Sequence, residues 1–289
     1  MPKKNIAFWL SEWCEARALT KRLFITINHI IIMPKRKKQK IGPIDPKEYF
    51  GKDDIEIPVM KDPKWHIGCK NLTAKQKDLL TISLDPETNI IFIDGPAGST
   101  KTYMAVYAAL RMLSENDNLS LTYVRTLVET ADKSMGALPG NVEEKVCPYM
   151  KPLMDKLDEM LHVNVKNSLT DSLRVEGEPV NFLRGQNWVD KIVIADESQN
   201  FDFSQLFTLI TRLGEGSKLF VCGDSMQTDI KKSGFRNMVS IFDNYYAEER
   251  GIHYFQFNED DIKRSPIQKF IVKSVNKYLQ DVKNGAVKN

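Results

Sequence analysis

The chain has 289 residues, of which 42% are hydrophobic and 27% charged, the balance of a water-soluble globular protein with one large or two small domains. A formal net charge of +3 permits nucleic-acid binding without requiring it, and no stretch approaches the ~18 apolar residues of a membrane-spanning helix. Cys14, Cys69, Cys147 and Cys222 are far apart and the histidines equally scattered, which argues against a disulfide framework or a zinc hydrolase and fits a reducing cytoplasm.

Residues 1–45 read as an N-terminal extension with a basic tail, 46–70 as a linker or peripheral segment, 71–282 as the main domain and 283–289 as a C-terminal tail. The apolar run Phe24–Ile32 follows Glu12, Glu15, Arg17, Lys21 and Arg22, unlike a signal peptide. Met33-Pro34-Lys35-Arg36-Lys37-Lys38 repeats the character of Met1-Pro2-Lys3-Lys4, making Met33 a candidate start. The run Lys35–Lys40 reads as a solvated tail or, alternatively, a nucleic-acid contact.

From Asn71 the chain alternates strand and helix. Expected strands are Asn89–Asp94, Leu119–Val124, Lys191–Ala195 and Lys218–Cys222. Expected helices are Lys101–Met112, Lys151–Leu161 with Pro152 in its first turn, and Ser204–Leu213. Ile267, Phe270, Ile271, Val275 and Tyr278 mark an amphipathic C-terminal helix. The near-continuous apolar strands point to an α/β fold, a mostly parallel sheet covered by helices on both faces.

Three strand ends carry chemistry. The first is Asp94-Gly95-Pro96-Ala97-Gly98-Ser99-Thr100-Lys101-Thr102, a glycine-rich turn opening a helix. Backbone N–H groups there suit the phosphates of a nucleoside triphosphate, Lys101 suits their outer charge and the Thr102 hydroxyl suits Mg²⁺. The turn departs from the pattern G-x-x-x-x-G-K-[ST] at Thr100, where glycine is expected; threonine can adopt helical φ there if its side chain finds room. The second end puts Asp196 and Glu197 just past an apolar strand. A helix cap explains such a pair alone, but beside Lys101-Thr102 the reading is Asp196 in the Mg²⁺ shell and Glu197 polarising the attacking water. The third, Cys222-Gly223-Asp224-Ser225-Met226-Gln227, offers Gln227 as a sensor of the terminal phosphate, or is an ordinary turn. Arg212 and Arg264 each read, taken alone, as a surface or helix-terminus charge, or else as a candidate transition-state arginine acting in its own subunit or a neighbour's.

With these residues placed, the chain resembles the PhoH-like (phosphate-starvation-inducible) P-loop ATPase family over about residues 71–282. The blocks follow in order: Leu72-Thr73-Ala74-Lys75-Gln76, Gly95-Pro96-Ala97-Gly98, Lys101-Thr102-Tyr103, Arg125, Ala137-Leu138-Pro139-Gly140, Glu144–Tyr149, Phe182-Leu183-Arg184-Gly185, Asp196–Asn200, Thr211–Gly214, Gly223-Asp224 with Gln227, Ser233-Gly234 and Asp261–Arg264. The resemblance implies a RecA-like core related to superfamily 1 helicases, Mg²⁺-dependent ATP hydrolysis, a hexameric ring and action on single-stranded RNA or DNA. It implies that Gln76 reads the nucleotide base and that Gly95–Thr102 with Tyr103 holds the nucleotide. Some members add a PIN-type nuclease domain; the segment before Asn71 is too short for one, so no nuclease activity is expected, and a phage origin fits a small member. The reading is an active ATPase, against a nucleotide-gated nucleic-acid-binding module with little turnover; a kinase is disfavoured for want of an acceptor lid.

Overall fold

The computed structural model describes residues 63–126, 142–180, 187–227 and 233–283. The basic tail, the Met33 start, and the blocks Ala137–Gly140 and Phe182–Gly185 lie outside the described residues.

Helix α1 (Ala74–Leu84) leads to strand β1 (Ile90–Asp94), helix α2 (Lys101–Glu115) and strand β2 (Ser120–Arg125). Helices α3 (Val142–Met160) and α4 (Val163–Asp171) precede strands β3 (Val175–Pro179) and β4 (Lys191–Asp196). Helix α5 (Phe203–Ile210), strand β5 (Lys218–Gly223), helices α6 (Phe235–Phe242) and α7 (Tyr245–Glu248), strand β6 (Ile252–Gln256) and helix α8 (Pro266–Lys283) complete the order.

The strands form one six-stranded sheet in the order β3-β2-β4-β5-β1-β6, with every ladder parallel. This is an α/β fold, a parallel sheet with helices on both faces. Strand β5 lies between the loop strand β1 and the carboxylate strand β4, so all three polar strand ends emerge side by side at one edge. Strand side chains alternate between two faces. Ile91 and Ile93, Ile192 and Ile194, and Phe220 and Cys222 pack with α1 to α4 on one side. Ile90 and Phe92, Val193 and Ala195, and Leu219 and Val221 pack with α5 and α6 on the other. Burial on both faces is why these strands read as continuous apolar runs.

Helix α2 is buried from Tyr103 through Leu110. Its small residues Ala105, Ala108 and Ala109 are buried and let it lie close to the sheet, with the glycine-rich loop at its start. Helix α1 begins with a capping box in which Thr73 and Gln76 exchange bonds. Helix α3 begins well before the expected Lys151, so Pro152 stands in the helix interior rather than its first turn. A proline there forfeits one backbone bond, which the packing of Leu153, Leu157 and Met160 into the core outweighs. Helix α5 ends at Ile210, short of the expected Leu213. Strands β3 and β6 carry glutamates or a histidine among few aliphatic residues and were not expected; both are sheet edges. The apolar stripe of α8 is exposed at Ile267, Phe270, Ile271, Val275 and Tyr278. No helix among the described residues is long and apolar enough to cross a membrane.

Lys218 opens β5 with a buried ammonium that donates to Ser83 O at 2.6 Å and Asp85 O at 2.8 Å, capping the C-terminus of α1. Burial lowers its pKa from 10.5 to about 8. Between those values the unfolded chain holds a proton that the folded chain has released, so this group's contribution to stability rises with pH from about 8 to 10.5 and is lost on falling through 8. Urea denaturation at pH 7.5 and pH 10 should show wild type gaining on the order of 2–3 kcal/mol relative to Lys218→Met. An equal pH response in the two proteins would contradict this.

Candidate nucleotide-binding and catalytic site

A cavity of about 750 Å³ opens at the C-terminal edge of the sheet. Gln76, Ala97, Gly98, Thr100, Lys101, Thr102, Tyr103, Asp196, Glu197, Gln227 and Arg264 all line it. Gly95, Pro96 and Ser99 complete the loop from beneath. Gly95 N–H donates to Gly223 O at 3.2 Å, joining the loop to β5. Ser99 is fully buried, and its hydroxyl donates to Pro96 O at 2.8 Å. The Lys101 ammonium folds back over the loop, donating to Gly95 O at 2.6 Å and Pro96 O at 3.1 Å. It is paired with neutral carbonyls rather than a carboxylate, so its charge is available to a polyphosphate.

Glycine suits position 98 by its backbone, and Arg264 lies directly over it. The Gly98 φ of 87° is left-handed, and a Cβ would come within 2.6 Å of Arg264 Nε. The segment carrying Arg264 is docked on the loop: Lys263 N–H donates to Gly98 O at 3.0 Å, and Lys75 pairs with Asp261 at 3.0 Å.

Asp196 is buried at the end of β4. Its Oδ1 accepts from the Thr102 hydroxyl at 2.7 Å and its Oδ2 from the Tyr123 hydroxyl at 2.5 Å. Burial, then the neighbouring Asp196 charge, push the Tyr123 pKa up, so this phenol remains a donor. One carboxylate and one hydroxyl, both hard oxygen donors facing each other, fit Mg²⁺, which keeps several waters and takes substrate phosphates as further ligands. Among the described residues no cluster of three or more His, Cys, Asp or Glu forms an all-protein cage.

Glu197 follows in the left-handed conformation, φ 51°, and is half exposed. Its Oε2 accepts from Gln199 Nε2 at 2.7 Å, and its Oε1 lies 3.6 Å from the Arg125 guanidinium. Gln199 in turn accepts the Asp224 N–H at 3.1 Å, linking the carboxylate to the turn that bears Gln227. That turn is braced from both sides: Asp224 Oδ1 accepts Met226 N–H at 2.9 Å, and Asp94 Oδ1 accepts Ser225 N–H at 2.9 Å. Burial raises the Asp224 pKa above the usual carboxylate value. Gln227 itself is exposed at the mouth of the cavity.

The model of the family described as PhoH-like protein matches residues 69–276, most of the chain. The chain belongs to the PhoH-like family. It is 34% identical over 189 residues to a PhoH-like protein of Synechocystis sp., covering 64% of this chain and 56% of that one. It is also 34% identical over 189 residues to one of Bacillus subtilis, covering 65% and 59%. The chain thus spans less than two thirds of the length of these relatives. Among solved structures, Bacteroides sp Pif1 in complex with ADP-AlF4 has a TM-score of 0.34 at 16% identity, covering 76% of this chain and 48% of that one. A likeness at that level adds nothing to the family assignment.

One expectation for this PhoH-like chain needs correction. Thr100 does not take helical φ: it stands at φ 69°, ψ 19°, the left-handed region. A β-branched residue there is strained by roughly 1–3 kcal/mol, which is why the pattern calls for glycine. Gln76 Nε2 donates to the Thr100 hydroxyl at 2.8 Å while Gln76 Oε1 accepts Thr73 N–H at 3.0 Å, so the amide expected to read a base is engaged within the chain. Thr100→Ala keeps the strain and loses this bond, and should be less stable than wild type by about 1 kcal/mol, whereas Thr100→Gly should exceed Thr100→Ala by about 1 kcal/mol or more. Thermal unfolding of the three proteins checks the order; equal stability of the two variants would contradict it.

Arg212, a candidate for its own subunit's site or a neighbour's, does not line the cavity of its own subunit. It lies beyond α5, where its backbone accepts Trp188 N–H at 2.9 Å, ahead of the starts of β4 and β5. Helix α5 runs back along the sheet, so it carries Arg212 to the edge opposite the phosphate loop, and Arg212 is not among the residues around the cavity. Of the two candidate arginines, only Arg264 meets Lys101 in the same subunit's site.

Arg125, Gln199, Asp224 and Tyr123 had been assigned no role. Arg125 is opposite Asp196 in the parallel register of β2 and β4, a neighbour that only strand order reveals. Gln199 carried a usable signal: a polar side chain two residues past Glu197.

Proposed function

We propose that this PhoH-like chain binds ATP with Mg²⁺ in the cavity at the sheet edge and hydrolyses it. The observation that carries this reading is the meeting of Thr102 and Asp196 at 2.7 Å beside Lys101, with Glu197 next in line. Thr102 and Asp196 would hold Mg²⁺, which supplies charge neutralisation to the phosphates and orients them. Loop N–H groups at the start of α2 bind phosphate oxygens, and Lys101 leaves the Gly95 and Pro96 carbonyls to neutralise the outer charge. Glu197 orients a water in line with the terminal phosphorus and takes up its proton. Gln227 contacts the terminal phosphate from the neighbouring strand end. Arg264, lying over Gly98, neutralises charge that develops on the bridging oxygens.

The domain responsible is read as residues 71–282. Coupling to single-stranded RNA or DNA and assembly into a hexameric ring follow from the family resemblance. The exposed stripe on α8 supports association with a second copy, and Arg212, remote from its own loop, is a candidate for a neighbour's site. A second reading is a nucleotide-gated nucleic-acid-binding module with little turnover. Two observations favour it: the strain at Thr100, and the engagement of Glu197 by Arg125 and Gln199.

The deciding experiment is phosphate release from ATP with Mg²⁺, with Mg²⁺ chelated, and with or without single-stranded RNA or DNA. Mg²⁺-dependent turnover supports the hydrolase. ATP binding without phosphate release under every condition supports the module, and no ATP binding rejects both.

A further inference from the structure

Both carboxylate oxygens of Glu197 have protein partners in the conformation described. One carboxylate oxygen accepts a 2.7 Å hydrogen bond from Gln199, and the other faces Arg125 at 3.6 Å. The two contacts differ in kind. Gln199 is buried and tied to the Asp224 backbone in the turn that bears Gln227. Arg125 makes a long pair, and both its side chain and that of Glu197 retain solvent access at 28% and 44%. Exposed pairs of this geometry contribute at most about 1 kcal/mol, so a better anion displaces the carboxylate readily. Phosphate is such an anion, because a guanidinium binds it through two parallel N–H bonds. Arg125 also lines the nucleotide cavity from the end of β2, opposite Asp196 in register.

We propose that Arg125 is a positioning residue that holds Glu197 away from the attacking water until a phosphate group draws the guanidinium off. This rests on the hydrolase reading above. The recruiting phosphate belongs either to ATP itself or to a nucleic-acid backbone, and kinetics separates them. Arg125 acts through Glu197, so its removal frees the base rather than disabling it.

The test compares wild type, Arg125→Met and Arg125→Lys by phosphate release across ATP concentrations, with and without single-stranded oligonucleotide. Circular dichroism and binding of a fluorescent ATP analogue verify that each protein is folded. Arg125→Met should turn over at least about three-fold faster than wild type at saturating ATP. If a nucleic-acid phosphate is the trigger, stimulation by oligonucleotide falls towards one-fold and KM for ATP is unmoved. If the terminal phosphate of ATP is the trigger, KM rises and stimulation persists. Arg125→Lys keeps charge without the fork and should fall between; it also serves as the test if Arg125→Met does not fold. A fall in kcat for either folded variant, with KM unmoved, overturns the proposal and makes Arg125 a transition-state group. The hydrolase reading fails separately: wild type would then bind no ATP or release no phosphate, whatever Arg125 does.

Discussion

Lys101→Ala should reduce phosphate release from ATP by about 10²–10³-fold or more, the scale on which losing a preorganised charge stabiliser acts. Lys101 is the cation at the start of α2, and its ammonium already lies 2.6 Å from Gly95 O and 3.1 Å from Pro96 O, at the rim where phosphate oxygens would sit. Moving from carbonyls to phosphate exchanges neutral acceptors for charged ones, so the gain is largest as charge builds on the leaving oxygen. The fold should survive, because Lys101 is only half buried and the loop is held independently by Ser99, Gly95 and Lys263. Steady-state phosphate release and circular dichroism check the two halves. Undiminished turnover in a folded Lys101→Ala protein would remove the loop from the mechanism.

Glu197→Gln separates binding from hydrolysis. The amide keeps the size and the left-handed placement of the side chain but cannot accept a proton from water. Turnover should drop by about 10²–10⁴-fold, the usual worth of a general base. ATP affinity should stay within about three-fold of wild type, since the phosphate loop, Thr102 and Asp196 are untouched. Equilibrium binding of a fluorescent ATP analogue beside single-turnover hydrolysis measures both. Equal losses in binding and turnover would show that Glu197 belongs to the nucleotide pocket rather than to the water.

Much of the core was legible because a strand buried on both faces must be apolar throughout. Ile91-Phe92-Ile93, Ile192-Val193-Ile194 and Leu219-Phe220-Val221 admit few other placements. The edges were not. Strand β3, Val175–Pro179, and strand β6, Ile252–Gln256, have fewer neighbours to satisfy and tolerate glutamate, glycine and histidine, so periodicity is silent there. Helix α3 hid its true start because a proline suggests a beginning when local cost is all that is counted. Thr100 was misjudged for a related reason: residue identity suggested a helical φ, while the closure of the loop between β1 and α2 imposes a left-handed one.

By itself, the sequence determined the chemistry on offer: a phosphate loop, Lys101-Thr102, Asp196-Glu197 and Gln227, each directly after an apolar strand. Chain order also specified the α/β class, because alternating strands and helices pack as a parallel sheet. Only the tertiary structure decided which of these groups meet. Inserting β5 between β1 and β4 brings Gln227 beside the loop, and the register of β2 on β4 puts Arg125 next to Asp196. The direction of α5 carries Arg212 away from its own subunit's cavity, and the docking of Lys263 on Gly98 keeps Arg264 at it. The physical reason is that strand order and helix direction are settled by non-local packing, in which residues distant along the chain compete for the same buried surface.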